Sequence, residues 1–204
     1  GRLFKLIRDS RTALLRGGIG VVVIVGGYGF FLFWTERIAQ KSFAAYGLAQ
    51  LKAPGGKGLA VEEALLKAAV DYPRTRAGIM ARLHLASLLR ERGDYRRAEG
   101  EIQRILDNSA ITDKDREIAM RGLAASMAGQ GKCAEAIAIW QKLISDINQF
   151  SAEDIYVAAG KCYEKEGKRA SALKMYEELS QKYPRSPFLD AGLRERIRQL
   201  GINE

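Results

Sequence analysis

The sequence predicts an all-α protein in which an N-terminal transmembrane helix precedes a solenoid of helix–turn–helix units and a C-terminal capping helix. Two observations predict this fold: glycines at a nearly constant spacing, and a long charge-free run near the N-terminus. The glycines are Gly56, Gly93, Gly131 and Gly167, which lie 37, 38 and 36 residues apart. A period slightly above 34 residues is typical of stacked helix pairs.

Each of these glycines has similar neighbours. Small residues lie seven positions before it, at Ala49, Ala86, Ala124 and Gly160. Bulky residues lie nine positions after it, at Leu65, Ile102, Trp140 and Tyr176. Small residues let two helices approach closely and large residues fill the space between units, so the pattern predicts one continuous core built by stacking.

The pattern resembles the tetratricopeptide repeat (TPR) over residues 42–186. The last unit carries the motif best, with Tyr156, Ala159, Gly160, Tyr163, Gly167, Ala172, Tyr176, Leu179 and Pro184. The unit from Glu117 has Asn148 in place of the closing proline, and the unit from Ile79 has Arg82 where a bulky apolar residue is usual. The first unit is degenerate. The resemblance implies a solenoid of three clear units and one degenerate unit over residues 36–186.

The ends of the helices can also be predicted. Gly93, Gly131 and Gly167 should end the first helix of their units in the left-handed conformation, which costs glycine little. Ser186 should cap a final helix with Pro187 in its first turn. Residues 187–204 are therefore expected to form a polar capping helix and tail.

Residues 17–35 contain no charged side chain and span about 28 Å as a helix, close to the thickness of the hydrocarbon core. A buried core helix and a cleavable signal peptide are the alternatives. The run is long for the former, and Thr35-Glu-Arg-Ile38 follows it without an Ala-x-Ala-like cleavage site. These features favour an uncleaved transmembrane anchor.

The flanking charges predict the orientation of the span. Residues 1–16 contain five basic side chains and one acidic side chain, whereas Glu36, Arg37 and Lys41 follow the span. The positive-inside rule then places the N-terminus in the cytoplasm and the repeats in the periplasm, as a single-pass protein of a bacterial inner membrane. Residues 1–16 also form a basic amphipathic segment that could lie on anionic lipid, or could serve topology alone.

One face of the predicted span is rich in glycine. Gly17, Gly20 and Gly27 share this face with Ile24. Small residues permit close helix contact in a membrane, so this face is a candidate contact surface for another transmembrane helix.

The two cysteines are Cys133, expected at the start of one helix, and Cys162, expected late in the first helix of the next unit. These helix ends could be neighbours in a stack. We expect two buried free thiols, with a disulfide as the alternative in an oxidising compartment.

Composition and motifs argue against catalysis. The net charge of +9 comes from mixed charges, without the concentrated basic patch of a nucleic-acid-binding protein. His84 is the single histidine, and no phosphate-binding loop or nucleophile motif is present. We expect no enzyme activity, no cofactor, no metal site and no nucleic-acid partner.

The TPR resemblance implies a concave groove lined by the first helix of each unit. The implied groove residues are Met80, Leu83, Ser87, Arg90, Arg121, Ala125, Ala128, Val157, Lys161 and Glu164. The middle of this set is small and apolar with basic side chains beside it, which suits a peptide of some acidic character. The Lys-plus-Asn carboxylate clamp of some TPR proteins is absent, because Leu83/Ser87, Arg121/Ala125 and Val157/Lys161 occupy those positions.

The domain plan is similar to that of a membrane-anchored bacterial TPR protein that accompanies the Sec translocon. This resemblance implies a tethered adaptor or chaperone that mediates protein–protein interaction. A structural accessory subunit of a larger respiratory, photosynthetic, secretion or motor complex is the main alternative, and an envelope-assembly or cytochrome-maturation factor is a third.

Overall fold

The computed structural model describes residues 2–51, 58–146 and 152–202, with side chains described from Val22 onward. The described part of the chain is all-helical. Its helices are α1 (Arg2–Leu51), α2 (Leu59–Asp71), α3 (Arg76–Glu91), α4 (Tyr95–Leu106), α5 (Asp113–Gly129), α6 (Cys133–Ser145), α7 (Glu153–Lys165), α8 (Arg169–Lys182) and α9 (Ala191–Gly201). The C-terminal part of α1 pairs with α2, and α3/α4, α5/α6 and α7/α8 form the next three units, so the solenoid predicted from the sequence is confirmed.

Helix α1 is a single helix of 50 residues that runs through the predicted span and into the first unit of the solenoid. No proline or turn sequence separates residue 35 from Leu51, so the helix has no reason to end where the predicted span ends. Its described part contains one stretch, Val22–Leu51, that is long and apolar enough to cross a membrane, and none of that apolar window is buried. The side chains of residues 1–16, Gly17 and Gly20 lie outside the described residues.

The turn inside each unit follows the glycine prediction. Gly93, Gly131 and Gly167 have φ values of 80°, 82° and 73°. The residue after each glycine donates its backbone N–H to a carbonyl five residues back, as Asp94 does to Leu89 at 2.9 Å. This arrangement satisfies the free carbonyls at the helix end and reverses the chain. Gly56, the equivalent residue of the first unit, lies outside the described residues.

Close packing between the two helices of a unit explains the small residues at the repeated positions. A side chain at Gly160 would collide with the ring of Tyr176, which is 1% exposed. The equivalent alanines, Ala49, Ala86 and Ala124, are also buried. Small residues on one helix therefore make room for large residues on the next, as the sequence predicts.

Arg82, the residue that departs from the usual TPR pattern, is held in a polar network. Its Nη1 donates to Glu101 Oε2 at 2.7 Å, and its Nη2 donates to the carbonyl oxygen of Ala69 at 3.1 Å. Arg104 also donates to Glu101. The network joins α2, α3 and α4 and satisfies a carboxylate that is only 8% exposed.

Neighbouring units are connected by polar contacts at equivalent positions. Glu62 of α2 accepts hydrogen bonds from Arg92 and Arg97, each at 2.5 Å, in and after the turn of the second unit. Glu99, the equivalent residue of α4, accepts from Gln130 and Lys132 at the turn of the third unit. The second helices of the first and second units thus hold the turn of the following unit.

The third and fourth units are connected by a disulfide instead. Cys133, the first residue of α6, is bonded to Cys162 of α7, and their Cα atoms are 5.2 Å apart. The expectation of two free thiols was wrong. The two helix ends are neighbours in the antiparallel stack, and both residues are buried. Their sulfur atoms are therefore close enough to bond without any change in the path of the backbone.

The C-terminal capping helix begins later than the sequence suggests. Asp190 rather than Ser186 caps α9, accepting the N–H of Leu193 at 2.8 Å, while Ser186 accepts the N–H of Phe188 in the preceding turn. Leu200 is buried against the cluster that contains Leu173 and Tyr176. Charged residues cover the other side of α9, so this end of the solenoid is capped.

Candidate partner-binding groove

The first helices of successive units lie side by side and form one surface. Leu83 of α3 packs against the cluster that contains Ala119 and Leu123 of α5. Arg121 of α5 donates to Asp154 of α7 at 2.8 Å. These contacts align α3, α5 and α7, which carry all of the groove residues predicted from the sequence.

The predicted groove residues have the exposure expected of the lining of a shallow groove. Lys161 is exposed, and the remaining nine are half-buried: Met80, Leu83, Ser87, Arg90, Arg121, Ala125, Ala128, Val157 and Glu164. Half-buried side chains can contact a ligand without leaving the fold. This set remains a prediction as a binding site.

The structure adds apolar residues that sequence reasoning missed. Ile118 is 45% exposed on α5 and lies 38 residues after Met80, so it occupies the same position one unit later. Phe43 and Tyr46 lie 37 residues before Met80 and Leu83 and extend the same surface onto α1. The ring of Tyr46 packs edge-on against His84, with their centroids 6.4 Å apart. The repeat spacing could have found all three.

Arg90 is the main unsatisfied cation of this surface. Its Nη2 donates to Ser87 Oγ at 3.3 Å, but its Nε is buried without a hydrogen-bond partner in the described structure. Burial lowers the pKa of the guanidinium from its usual value. The residue as a whole is only half-buried, so its positive charge favours an anionic group of a ligand at this position.

Two other predicted groove charges are already engaged within the fold. Arg121 pairs with Glu117 of its own helix and with Asp154. Glu164 accepts hydrogen bonds from Tyr176 and Arg196. Burial alone would raise the pKa of Glu164, but these hydrogen bonds outweigh it and the pKa falls below its usual value. Both side chains therefore fasten helices together as well as lining the surface.

Of the predicted transmembrane contact residues, Ile24 and Gly27 are described. Ile24 is 71% exposed, and a side chain at Gly27 would meet no atom within 4 Å. Ile24 lies 18 residues, or five helical turns, before the buried Ser42, so this face lies on the side of α1 that carries the solenoid. Gly17 and Gly20 lie outside the described side chains.

The described residues offer little for metal binding. They contain no group of three or more His, Cys, Asp or Glu side chains placed to hold a metal ion. A cleft of about 580 Å³ lies between the start of α5 and the end of α6, lined mainly by charges of both signs, and none of the predicted groove residues line it. The half-buried surface of α3, α5 and α7 is therefore the candidate site.

Comparison with known families is consistent with this geometry. A family model described as "Tetratricopeptide repeat-like domain" matches residues 9–197, which is most of the chain. No curated protein matches the sequence. TPR-like domains are generally non-catalytic modules that bind other proteins.

Proposed function

Because the chain belongs to the tetratricopeptide repeat-like domain family, we propose that it is a membrane-anchored adaptor or chaperone that holds a protein partner in its groove. The observation that carries this proposal is the half-buried surface shared by α3, α5 and α7. α1 would anchor the solenoid at the periplasmic face of a bacterial inner membrane.

The anchoring is supported by α1 and by its flanks. The helix has an exposed apolar stretch of sufficient length, and basic residues precede that stretch. The bond between Cys133 and Cys162 supports an oxidising location for the solenoid, because disulfides are rare in the cytosol. We propose that residues 17–35 span the membrane and that residues 1–16 lie on its cytoplasmic surface.

The groove favours an extended or helical peptide with apolar and acidic side chains. Ala125 and Ala128 leave room for a peptide backbone, and Leu83 and Ile118 offer apolar contacts. The positive charge of the half-buried Arg90 favours a carboxylate beside these residues.

Matched substitutions test the groove. Leu83→Glu with Ala125→Glu places two charges in the groove, and we expect the amount of bound partner to fall about tenfold or more. Leu66→Glu with Ala138→Glu is the control, because both residues are exposed on second helices. The measurement is mass spectrometry of the proteins that co-purify with the full chain in mild detergent, and thermal melting of each variant confirms folding. If both double variants fold and recover equal amounts of bound partner, the proposal that this groove holds the partner is refuted.

A structural accessory subunit is the second candidate. The exposed apolar surface of α1 favours it, because a permanent partner could pack there. In this case one set of membrane proteins would co-purify at fixed stoichiometry with both double variants. A broad, substoichiometric set that only the groove variant loses would identify the adaptor.

A further inference from the structure

The N-terminal end of the solenoid is an apolar surface that the described residues leave uncovered. A solenoid needs a polar cover at each end, and α9 supplies one at the C-terminal end. At the other end, Leu48 and Leu51 of α1 are 60% and 80% exposed, and Ala44 is exposed beside them. These residues point away from Ser42 and Ala49, which are buried against the solenoid.

This surface continues down α1 into the proposed span. Residues spaced three, four or seven apart share one side of the helix. We call this side the outer face of α1: Val22, Gly26, Gly29, Phe33, Gln40, Ala44, Gly47 and Leu51. These eight residues are uncharged, and the charged Glu36 and Arg37 flank them. A side chain at Gly26, Gly29 or Gly47 would meet no atom within 4 Å, so no contact within the described chain accounts for glycine there. Each glycine disfavours the helix relative to alanine.

We propose that the outer face of α1 binds the same face of a second copy of this chain, in a parallel two-fold dimer. Copies anchored in one membrane are parallel and equally deep, so Ala44, Gly47 and Leu51 of one copy meet their counterparts at the same height. The solenoids lie on the opposite sides of the two helices, and both grooves remain open. The parallel orientation rests on the proposed membrane anchoring.

The charges beside the face are complementary across such a dimer. Glu36 and Arg37 directly follow the charge-free run, so they lie at the membrane surface. By helical periodicity they occupy opposite edges of the outer face. In a parallel two-fold pair, the Glu36 edge of one helix adjoins the Arg37 edge of the other, which permits two reciprocal ion pairs. A cation–π contact with Phe33, at 5.1 Å, already holds Arg37 beside the face.

The area is close to that of the smallest specific contacts. The outer face is about 45 Å long and about 10 Å wide, or roughly 450 Å² of projected area on each copy. Two copies together approach the roughly 1,000 Å² above which interfaces are usually specific. The small residues allow the backbones to come close, as in other membrane helix pairs.

Disulfide trapping in native membranes tests the proposal. Ala44→Cys or Gly47→Cys in the otherwise unchanged full chain should yield a covalent dimer on mild oxidation, because a disulfide needs Cα atoms within about 7 Å. Lys41→Cys is the matched control, since this residue is exposed on the same helix about 90° from the outer face. Cys133 and Cys162 are buried and bonded to each other, so the unchanged chain should remain monomeric on a reducing-agent-free gel.

A charge exchange provides a second readout. Glu36→Arg in the Gly47→Cys chain should lower the dimer yield by juxtaposing like charges, and adding Arg37→Glu should restore it. The dimer would be overturned if Ala44→Cys and Gly47→Cys both stayed monomeric, if Lys41→Cys were trapped equally well, or if the adduct contained a different protein. Alkaline extraction of the same membranes tests anchoring separately. A chain that is extracted refutes the anchor, whereas a retained chain without dimers refutes only the pairing.

Discussion

Asp115 shows how one residue holds two units together. It is fully buried at the start of α5, where it forms a capping box with Thr112, and it also accepts a hydrogen bond from Arg76 at the start of α3. Burial alone would raise the pKa of Asp115, but the hydrogen bonds from Thr112 and Arg76 outweigh it and hold the pKa below its usual value. The charged form is therefore the form that stabilises the fold.

We expect Asp115→Asn to lower the free energy of unfolding by about 2 kcal/mol at pH 7. Because the folded pKa is depressed, this contribution is present above the ordinary Asp pKa of about 3.9 and is lost as the pH falls through the folded value. Denaturant unfolding of the full chain in detergent, at pH 7 and at successively lower pH, measures it.

Asp113→Asn is the control for this prediction, since Asp113 is exposed in the same first turn of α5. Its effect should be about 0.5 kcal/mol, as for an exposed charge near a helix N-terminus. Equal effects of the two substitutions, or a loss at Asp115 that does not shrink as the pH falls, would show that the buried carboxylate has no special role.

At the scale of helices, the contacts between units change along the stack. Glu62 and Glu99 hold the first two junctions through side chains of the following turn. In the third unit the equivalent residue is Ile137, which is buried and cannot form an ion pair. The Cys133–Cys162 bond lies at this junction, so we infer that it takes over the role of the missing carboxylate.

Removing the bond should therefore loosen the last unit. The bond closes a chain segment with a sequence separation of 29 residues. Cys133→Ala with Cys162→Ala is expected to lower the free energy of unfolding by about 3 kcal/mol, mainly because the unfolded chain regains entropy. Thermal unfolding with and without a thiol reductant measures this effect, and amide hydrogen exchange should show the loss in α7, α8 and α9 before α3 and α4.

The double variant is also the control for the reductant. Reduction should lower the stability of the unchanged chain. It should leave the stability of the variant unaltered, because both cysteines of the sequence have been replaced. If reduction of the unchanged chain left both stability and exchange unaltered, the bond would not be what holds the third and fourth units together.

For the whole molecule, the repeat pattern predicted the features that depend on local spacing. Gly93, Gly131 and Gly167 marked the turns correctly, and the alternation of small and large residues marked the core. Contacts between side chains of different units could not be predicted from this spacing, because they depend on which turn lies beside which helix. The Glu62–Arg92 pair and the Cys133–Cys162 bond belong to this class.

The groove residues could also be predicted from the repeat spacing, but only within the part of the chain that the repeat covers. Ile118 and Phe43 follow from the spacing of Met80, although they were missed. The engagement of Glu164 by Arg196 could not be foreseen, since it requires knowing where α9 folds back. The continuity of α1 beyond the predicted span follows from the absence of a helix-breaking sequence after Thr35.

The measurement that tests the central claim most directly is site-specific photo-crosslinking of the full chain in its native membranes. A photoreactive residue replaces Ala125 in the groove or, as the matched control, Ala138 on the exposed side of α6. The account predicts discrete protein adducts from position 125 and far fewer from position 138. Adducts from position 138 alone, or none from position 125, would contradict the claim that this groove holds a protein partner.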